Sequence, residues 1–203
     1  TQIKVEYLVL RGLADFALQR YDQAILQFEQ VLMFADSPEF IKQKVSALLY
    51  SQKCHLLMEH FDESLHISDL IWRDYAEVIV PDAGQFFHFT LNHANTMLGL
   101  GKLEAMDDLL VQCEQHEDFR IMPKEQIQTL VTRAKYHLAK EAPIFSIGIL
   151  EKALALATEQ EDVNVLSEVY EALIETYEML KQPLEALTFA KKRLNLHKEL
   201  VKR

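Results

Sequence analysis

Tyr21-Asp22-Gln23-Ala24 decides the fold, because the pattern keeps returning. It recurs as Phe61-Asp62-Glu63-Ser64, Lys102-Leu103-Glu104-Ala105, Ile144-Phe145-Ser146 and Pro183-Leu184-Glu185-Ala186. Each is a short lead into a small residue. The anchors Ala24, Ser64, Ala105, Ser146 and Ala186 are spaced 40, 41, 41 and 40 residues apart. A period in this range indicates a solenoid, in which each repeat buries its apolar face only against its neighbours. Such a scaffold offers an extended surface, so its default work is to hold another molecule.

The prolines fall in phase with the repeat. Pro38, Pro81 and Pro123 lie 43 and 42 apart, each ahead of a long apolar-periodic stretch. Pro143 and Pro183 lie 40 apart, each ahead of the second stretch of a repeat. Proline suits the first helical turn, where its missing N–H is not needed. This punctuation predicts ten helices in five pairs: 3–19 and 21–35, 39–58 and 61–79, 82–100 and 102–117, 123–140 and 143–159, 162–181 and 183–203. The repeats run 3–37, 38–80, 81–119, 123–160 and 162–203. The third repeat fits with either Ala105 or Met106 as its anchor.

Composition agrees with an all-helical chain. Only five Gly and five Pro occur in 203 residues, and 49 % of residues are hydrophobic. No Gly/Ser linker or low-complexity tract interrupts the chain, so residues 1–203 read as one domain. The opening at Thr1 without Met suggests a piece of a longer chain. No apolar run approaches the ~20 residues that span a bilayer, so no membrane association is expected. The net charge of −10, from 31 acidic and 21 basic residues, argues against direct nucleic-acid binding, which requires a basic face. Cys54 and Cys113 sit in apolar stretches of different repeats and read as reduced core residues, which fits a cytoplasmic location.

Within each repeat, small and bulky residues alternate in a recurring order. Repeat one reads Leu8, Gly12, Phe16, then Tyr21, Ala24, Phe28, Leu32. Repeat four reads Leu130, Ala134, His137, then Ser146, Leu150, Ala153. Repeat five reads Tyr170, Leu173, Tyr177, then Ala186, Ala190, Leu194. This resembles the tetratricopeptide (TPR) pattern over essentially the whole chain. The departures are the longer period, against 34 residues in the family, and Gln52 and Ile174 where a small residue is expected. The resemblance implies an α-solenoid, a right-handed superhelix of five TPR-like helix-turn-helix pairs. A HEAT-like solenoid is the structural alternative. Elongated repeats of this style are similar to those of peptide-sensing regulators of Gram-positive bacteria and of TPR-containing bacterial signalling proteins.

In the TPR family the first helix of each pair lines the concave face, which implies a candidate ligand strip. Counting from each small residue, one matched position gives Leu13, Lys53, Asn95, Lys135 and Glu175. Three residues earlier come Leu10, Tyr50, Asn92, Thr132 and Ala172, and further toward the N-terminus Ser46, His88 and Gln128. The expected groove residues are therefore Tyr50, Lys53, His88, Asn92, Asn95, Gln128, Thr132 and Lys135. An Asn side chain both donates and accepts, so it can bracket a peptide bond. Lysines can meet a carboxylate, and a basic strip here opposes the bulk charge. The plain alternative is a row of ordinary solvated helix-face residues.

Other features carry no chemistry. The eight histidines show no metal-ligand spacing, so no metal and no cofactor are expected. Gly99-Leu100-Gly101 is too short for a phosphate loop and reads as a helix stop. Nothing resembles a nucleophile elbow, and no enzymatic activity is expected. Trp72 reads as a core residue of repeat two, and Phe86, Phe87 and Phe89 as seam packing. The last helix carries Lys191, Lys192, Arg193, Lys198, Lys202 and Arg203. Its Leu187, Ala190, Leu194 and Val201 fall near heptad spacing, with His197 breaking the series. It suits either a polar cap, a dimer seam, or a coiled-coil link to an effector domain. The sequence thus points to a non-catalytic peptide- or protein-binding module in a signalling or transcription-regulating protein. The alternative is a structural scaffold for assembly or self-association.

Overall fold

The computed structural model describes residues 2–34 and 38–201, without the side chains of Phe34, His197, Glu199, Leu200 and Val201. Ala35 at the expected end of the second helix, and Lys202 and Arg203, lie outside the described residues. Among those described, ten α-helices and two short 3-10 turns occur and no strand.

The chain divides into two compact units, Thr1–Lys102 and Leu103–Arg203. The first holds α1 (Gln2–Ala17), α2 (Tyr21–Phe34), α3 (Ile41–Leu57), α4 (Phe61–Ile79) and α5 (Ala83–Gly99). The second holds α6 (Leu103–Gln115), α7 (Pro123–Ala139), α8 (Pro143–Gln160), α9 (Val163–Met179) and α10 (Pro183–Val201). These ends match the expected helices to within about two residues, the scatter usual for helix termini.

The starts and stops have local causes. Pro123, Pro143 and Pro183 open α7, α8 and α10. Asp82 and Asp162 cap α5 and α9 through side-chain oxygens that accept from Gln85 N at 3.1 Å and Asn164 N at 2.9 Å. These caps satisfy amides that a helix start leaves without partners. Pro38 opens a 3-10 turn, Pro38–Phe40, whose Phe40 is buried. Each first helix ends alike. Gln19, Glu59, Gly101, Glu141 and Lys181 all have φ between +56° and +70°. The next amide then donates back across the turn, as Arg20 N does to Asp15 O and His60 N to His55 O. This left-handed stop folds the second helix back on the first.

Packing within each unit follows the repeat. In the first, α1 pairs with α2 and α3 with α4, while α3 also packs on α1 and α2, and α5 on α3 and α4. In the second, α7 pairs with α8 and α9 with α10, α6 lies on α7, and α9 packs on α7 and α8. Ala24, Ser64, Ser146 and Ala186 are buried where the second helices cross the first. Gly12 marks one close crossing, since a Cβ there would overlap the Phe28 ring. In the third repeat Met106 is fully buried and Ala105 only half so. The anchor is therefore Met106. Phe28 and Val31 with Val5 and Ala47 fill one core cluster of the first unit. Leu150, Val165, Val169 and Leu173 fill that of the second.

One core expectation is corrected. Trp72 is 51 % exposed and stacks at 5.9 Å on the buried Phe89. A ring wide enough to cover its neighbour keeps its own outer face in water. Phe86, Phe87 and Phe89 are buried.

Candidate binding face

The candidate residues lie on α3 and α5 in the first unit and on α7 in the second. Each helix turns its side chains through about 100° per residue, so residues seven apart share a face. Lys53 and Ser46, Asn95 and His88, and Lys135 and Gln128 are such pairs. All six are half-buried at the surface of their helices. Asn95 Nδ2 donates to the carbonyl of Leu91 at 2.7 Å, holding the carboxamide against its own helix.

Asn92 and Thr132 leave the strip. They are 2 % and 5 % exposed. A residue three positions before Asn95 is turned about 60° away, toward the preceding repeat. Asn92 there donates to Leu49 O at 3.4 Å and to Gln52 Oε1 at 3.3 Å. Thr132 Oγ1 donates to Gln128 O at 2.9 Å. Tyr50, at the same register, also belongs to the packing between repeats. Its ring lies 5.3 Å from Phe16, 6.0 Å from Phe28 and 5.2 Å from His88. Tyr50 therefore supports His88 from beneath, as part of the seam.

The Asn92 contact opens a network that sequence reasoning missed. Gln52, Ser64, Ser68 and Thr96 are all fully buried. Gln52 Nε2 donates to Ser68 Oγ at 2.6 Å, and Ser68 Oγ donates to Ser64 O at 3.0 Å. Thr96 Oγ1 donates to Asn92 O at 2.8 Å, so its single proton is committed. Ser64 is then the donor in the 2.7 Å Ser64–Thr96 contact. The hydroxyl protons of all three residues are thus used inside the core, as buried polar groups require. The visible signal was Gln52 at a position that takes Gly12, Ala94 and Ala134 in repeats one, three and four.

The second unit has its own unforeseen polar cluster. Arg133 on α7 grips Glu114 of α6 with two bonds, at 2.9 and 3.1 Å, and also Asp107. Tyr136 donates to Asp107 at 3.2 Å, and Lys140 donates to the Tyr136 hydroxyl at 3.1 Å. The Arg133 bond holds the Asp107 carboxyl below the usual range, against the opposing effect of its burial. A planar guanidinium suits this two-pronged grip, and the cluster fixes α6 on α7. Arg133 lies two positions from Lys135 in the sequence, on another face.

Neither thiol is poised for chemistry. Cys54 and Cys113 are free and buried, and burial pushes both up to about 12. His55, His93 and His137 are held below the usual histidine value, chiefly by burial. Among the described residues no group of three or more His, Cys, Asp or Glu is arranged to hold a metal ion. None of the described helices is long and apolar enough to cross a membrane.

No family model matches the chain, and no curated protein matches it. Solved structures do. A thermophilic TPR protein of Thermus thermophilus superposes with a TM-score of 0.69 at 18 % identity, over 98 % of this chain and 97 % of that one. A mutant of MamA superposes with a TM-score of 0.52 at 18 % identity, over 96 % of this chain and 98 % of that one. With the helix pairs and buried small residues described above, the all-α architecture of this chain is the tetratricopeptide-repeat solenoid fold.

Proposed function

We propose that this chain is a non-catalytic binding module whose first helices hold a peptide or an extended segment of a protein. The observation that carries the reading is the half-buried residue at one register of successive first helices: Lys53 on α3, Asn95 on α5 and Lys135 on α7. Two of these are cationic in a chain of net charge −10, so the ligand would present a carboxylate, from an acidic side chain or a free C-terminus. His88 shares the Asn95 face of α5, and Gln128 shares the Lys135 face of α7. The module would serve as the sensory or regulatory part of a bacterial signalling protein in the cytoplasm. The likeness to TPR structures supports the protein-binding part of this reading.

The test is calorimetry against short acidic peptides, with the C-terminal carboxylate free or amidated. Lys53→Ala should weaken binding and flatten its salt dependence, as loss of an ion pair does. Asn95→Ala should cost about 1–3 kcal/mol of affinity by leaving a peptide group without its partner. Helical content should stay unchanged in both, because neither side chain is in the core. Unchanged affinity in both variants would remove the strip as the site.

A further inference from the structure

We infer that the strip changes sign within the second unit, so that its ligand is a peptide segment carrying both an acidic and a basic side chain. This rests on the binding strip proposed above and names the chemistry of its ligand. Lys135 on α7 and Glu175 on α9 hold the same register of two first helices that pack on each other. Lys135 is half-buried and Glu175 is exposed. Each helix adds to its own sign. Lys124 stands eleven positions before Lys135, three turns along the same face of α7. Glu168 stands seven positions before Glu175, on the same face of α9.

The two charges are available to a ligand. The side chains of Lys135 and Glu175 have no ion-pair or hydrogen-bond partner among the described residues. Elsewhere the unit does join opposite charges across helices: Glu171 of α9 meets Arg193 of α10 at 3.1 Å, and Arg133 of α7 meets Glu114 of α6 at 2.9 Å. Lys135 and Glu175 stand side by side and leave each other unpaired. Their register also stays at the surface when a further first helix packs alongside. Lys53 is half-buried with α5 packed on α3, and Lys135 is half-buried with α9 packed on α7. A further helix packed in the same way beside α9 would therefore leave Glu175 accessible.

The spacing suits a peptide. Axes of packed helices lie about 8–10 Å apart, so side chains leaving them in one direction start with a gap of that size. An extended chain advances about 3.3 Å per residue, so an acid and a base three positions apart span the gap. Beneath, α7 and α9 share the apolar cluster that includes Val131 and Ala172, which holds the two charges on a packed base. A ligand of one sign would meet attraction from one helix and repulsion from the other. A ligand with both signs is attracted by both, and in one direction only.

Peptide arrays test this on the whole chain. The probes are end-blocked peptides of about eight residues, neutral apart from two charged residues three positions apart. The four kinds are Asp then Lys, Lys then Asp, two Asp, and two Lys. The wild type should retain an acid-and-base peptide best, in one of its two orders. Fluorescence anisotropy then gives the affinity for that peptide. Lys135→Gln and Glu175→Gln should each weaken it by about two- to fivefold, the range of an exposed ion pair. Glu175→Lys should move the preference to the two-Asp peptide, and Lys135→Glu to the two-Lys peptide. With both reversals in one chain, the acid-and-base preference should return in the opposite order. Glu151→Gln on α8 removes the same charge away from the strip and should change nothing. Circular dichroism should be the same throughout, because neither Lys135 nor Glu175 is in the core. Two results overturn the inference. If the wild type prefers the two-Asp peptide and only the Lys135 variants weaken it, the strip stands but has a single sign. If no probe binds at up to about 1 mM, the strip and its two-signed chemistry fall together.

Discussion

Repeats two and four reach the same helix crossing by opposite chemistry. At three matched positions repeat two has Gln52, Ser64 and Ser68, and repeat four has Ala134, Ser146 and Leu150. All six are fully buried. In both repeats the serine that opens the second helix sits against a carbonyl of the first: Ser146 Oγ donates to Ala134 O at 2.9 Å, while Ser64 Oγ, whose proton goes to Thr96, lies 3.4 Å from Gln52 O. Beyond that, repeat four fills the space with hydrocarbon. Repeat two fills it with hydrogen bonds that run on to Asn92 and Thr96 of the next helix. A similar volume satisfies the backbone either way. What differs is how each crossing fails: an apolar core weakens in proportion to the volume removed, whereas a polar network leaves groups stranded.

The largest expected effect lies on the apolar side. Leu150→Ala should destabilise the second unit by about 2–5 kcal/mol, from lost transfer energy and the cavity left behind. Gln52→Ala should cost the first unit about 1–3 kcal/mol, since Ser68 loses its donor and one Asn92 proton its acceptor. The pair Gln52→Ala with Ser68→Leu installs the residues of repeat four. It should lose less than Gln52→Ala alone, because the leucine refills the space and removes a stranded hydroxyl. Urea denaturation of these variants and of Ser68→Leu alone measures this. Additive losses in the double variant would mean that the network is not a coupled unit.

The two thiols let each region report for itself. Cys54 sits in the first unit and Cys113 in the second, both buried and both pushed up to about 12. In the native protein neither should react with a thiol reagent at neutral pH except through opening of its surroundings. Gln52→Ala should accelerate labelling of Cys54 more than of Cys113, and Leu150→Ala should do the reverse. Mass spectrometry of the labelled peptides reads the two rates. Equal acceleration of both thiols by either variant would show that the units open together.

Much of this architecture was legible because it is periodic. A residue pattern that returns every 40 or so positions reports local crossings that repeat, and the prolines and small residues mark them without reference to anything distant. The strip was legible only in part, for a geometric reason. Asn92 and Asn95 differ by three positions, yet that turn carries Asn92 into the stacking face and leaves Asn95 at the surface. Residue type gave no warning, because Asn suits either place. Gln52 was visible as a departure from the pattern, but its meaning depended on Ser68 and Asn92, which reach it from two other helices. Trp72 misled through its hydrophobicity, which does not state which face of the ring is covered. Met106 settled the third repeat's register only through its burial.

The smallest effect separates backbone from side chain at the five turns. Gln19, Glu59, Glu141 and Lys181 hold the left-handed conformation that Gly101 adopts in the third repeat. An L side chain in that region costs roughly 1–2 kcal/mol through its Cβ, and glycine avoids the clash while losing more freedom on folding. The balance should make Glu59→Gly and Glu141→Gly stabilising by about 0.5–1 kcal/mol each. The reverse change is cleaner. A Cβ placed on Gly101 meets nothing within 4 Å, so Gly101→Ala disturbs no packing and tests the backbone alone. It should destabilise by about 1 kcal/mol. Thermal melts of the three variants decide the matter. If Gly101→Ala were neutral, the turn would have relaxed out of the left-handed region. The hydrogen bond from Lys102 N to Met97 O, 2.8 Å long, would then be the first to break.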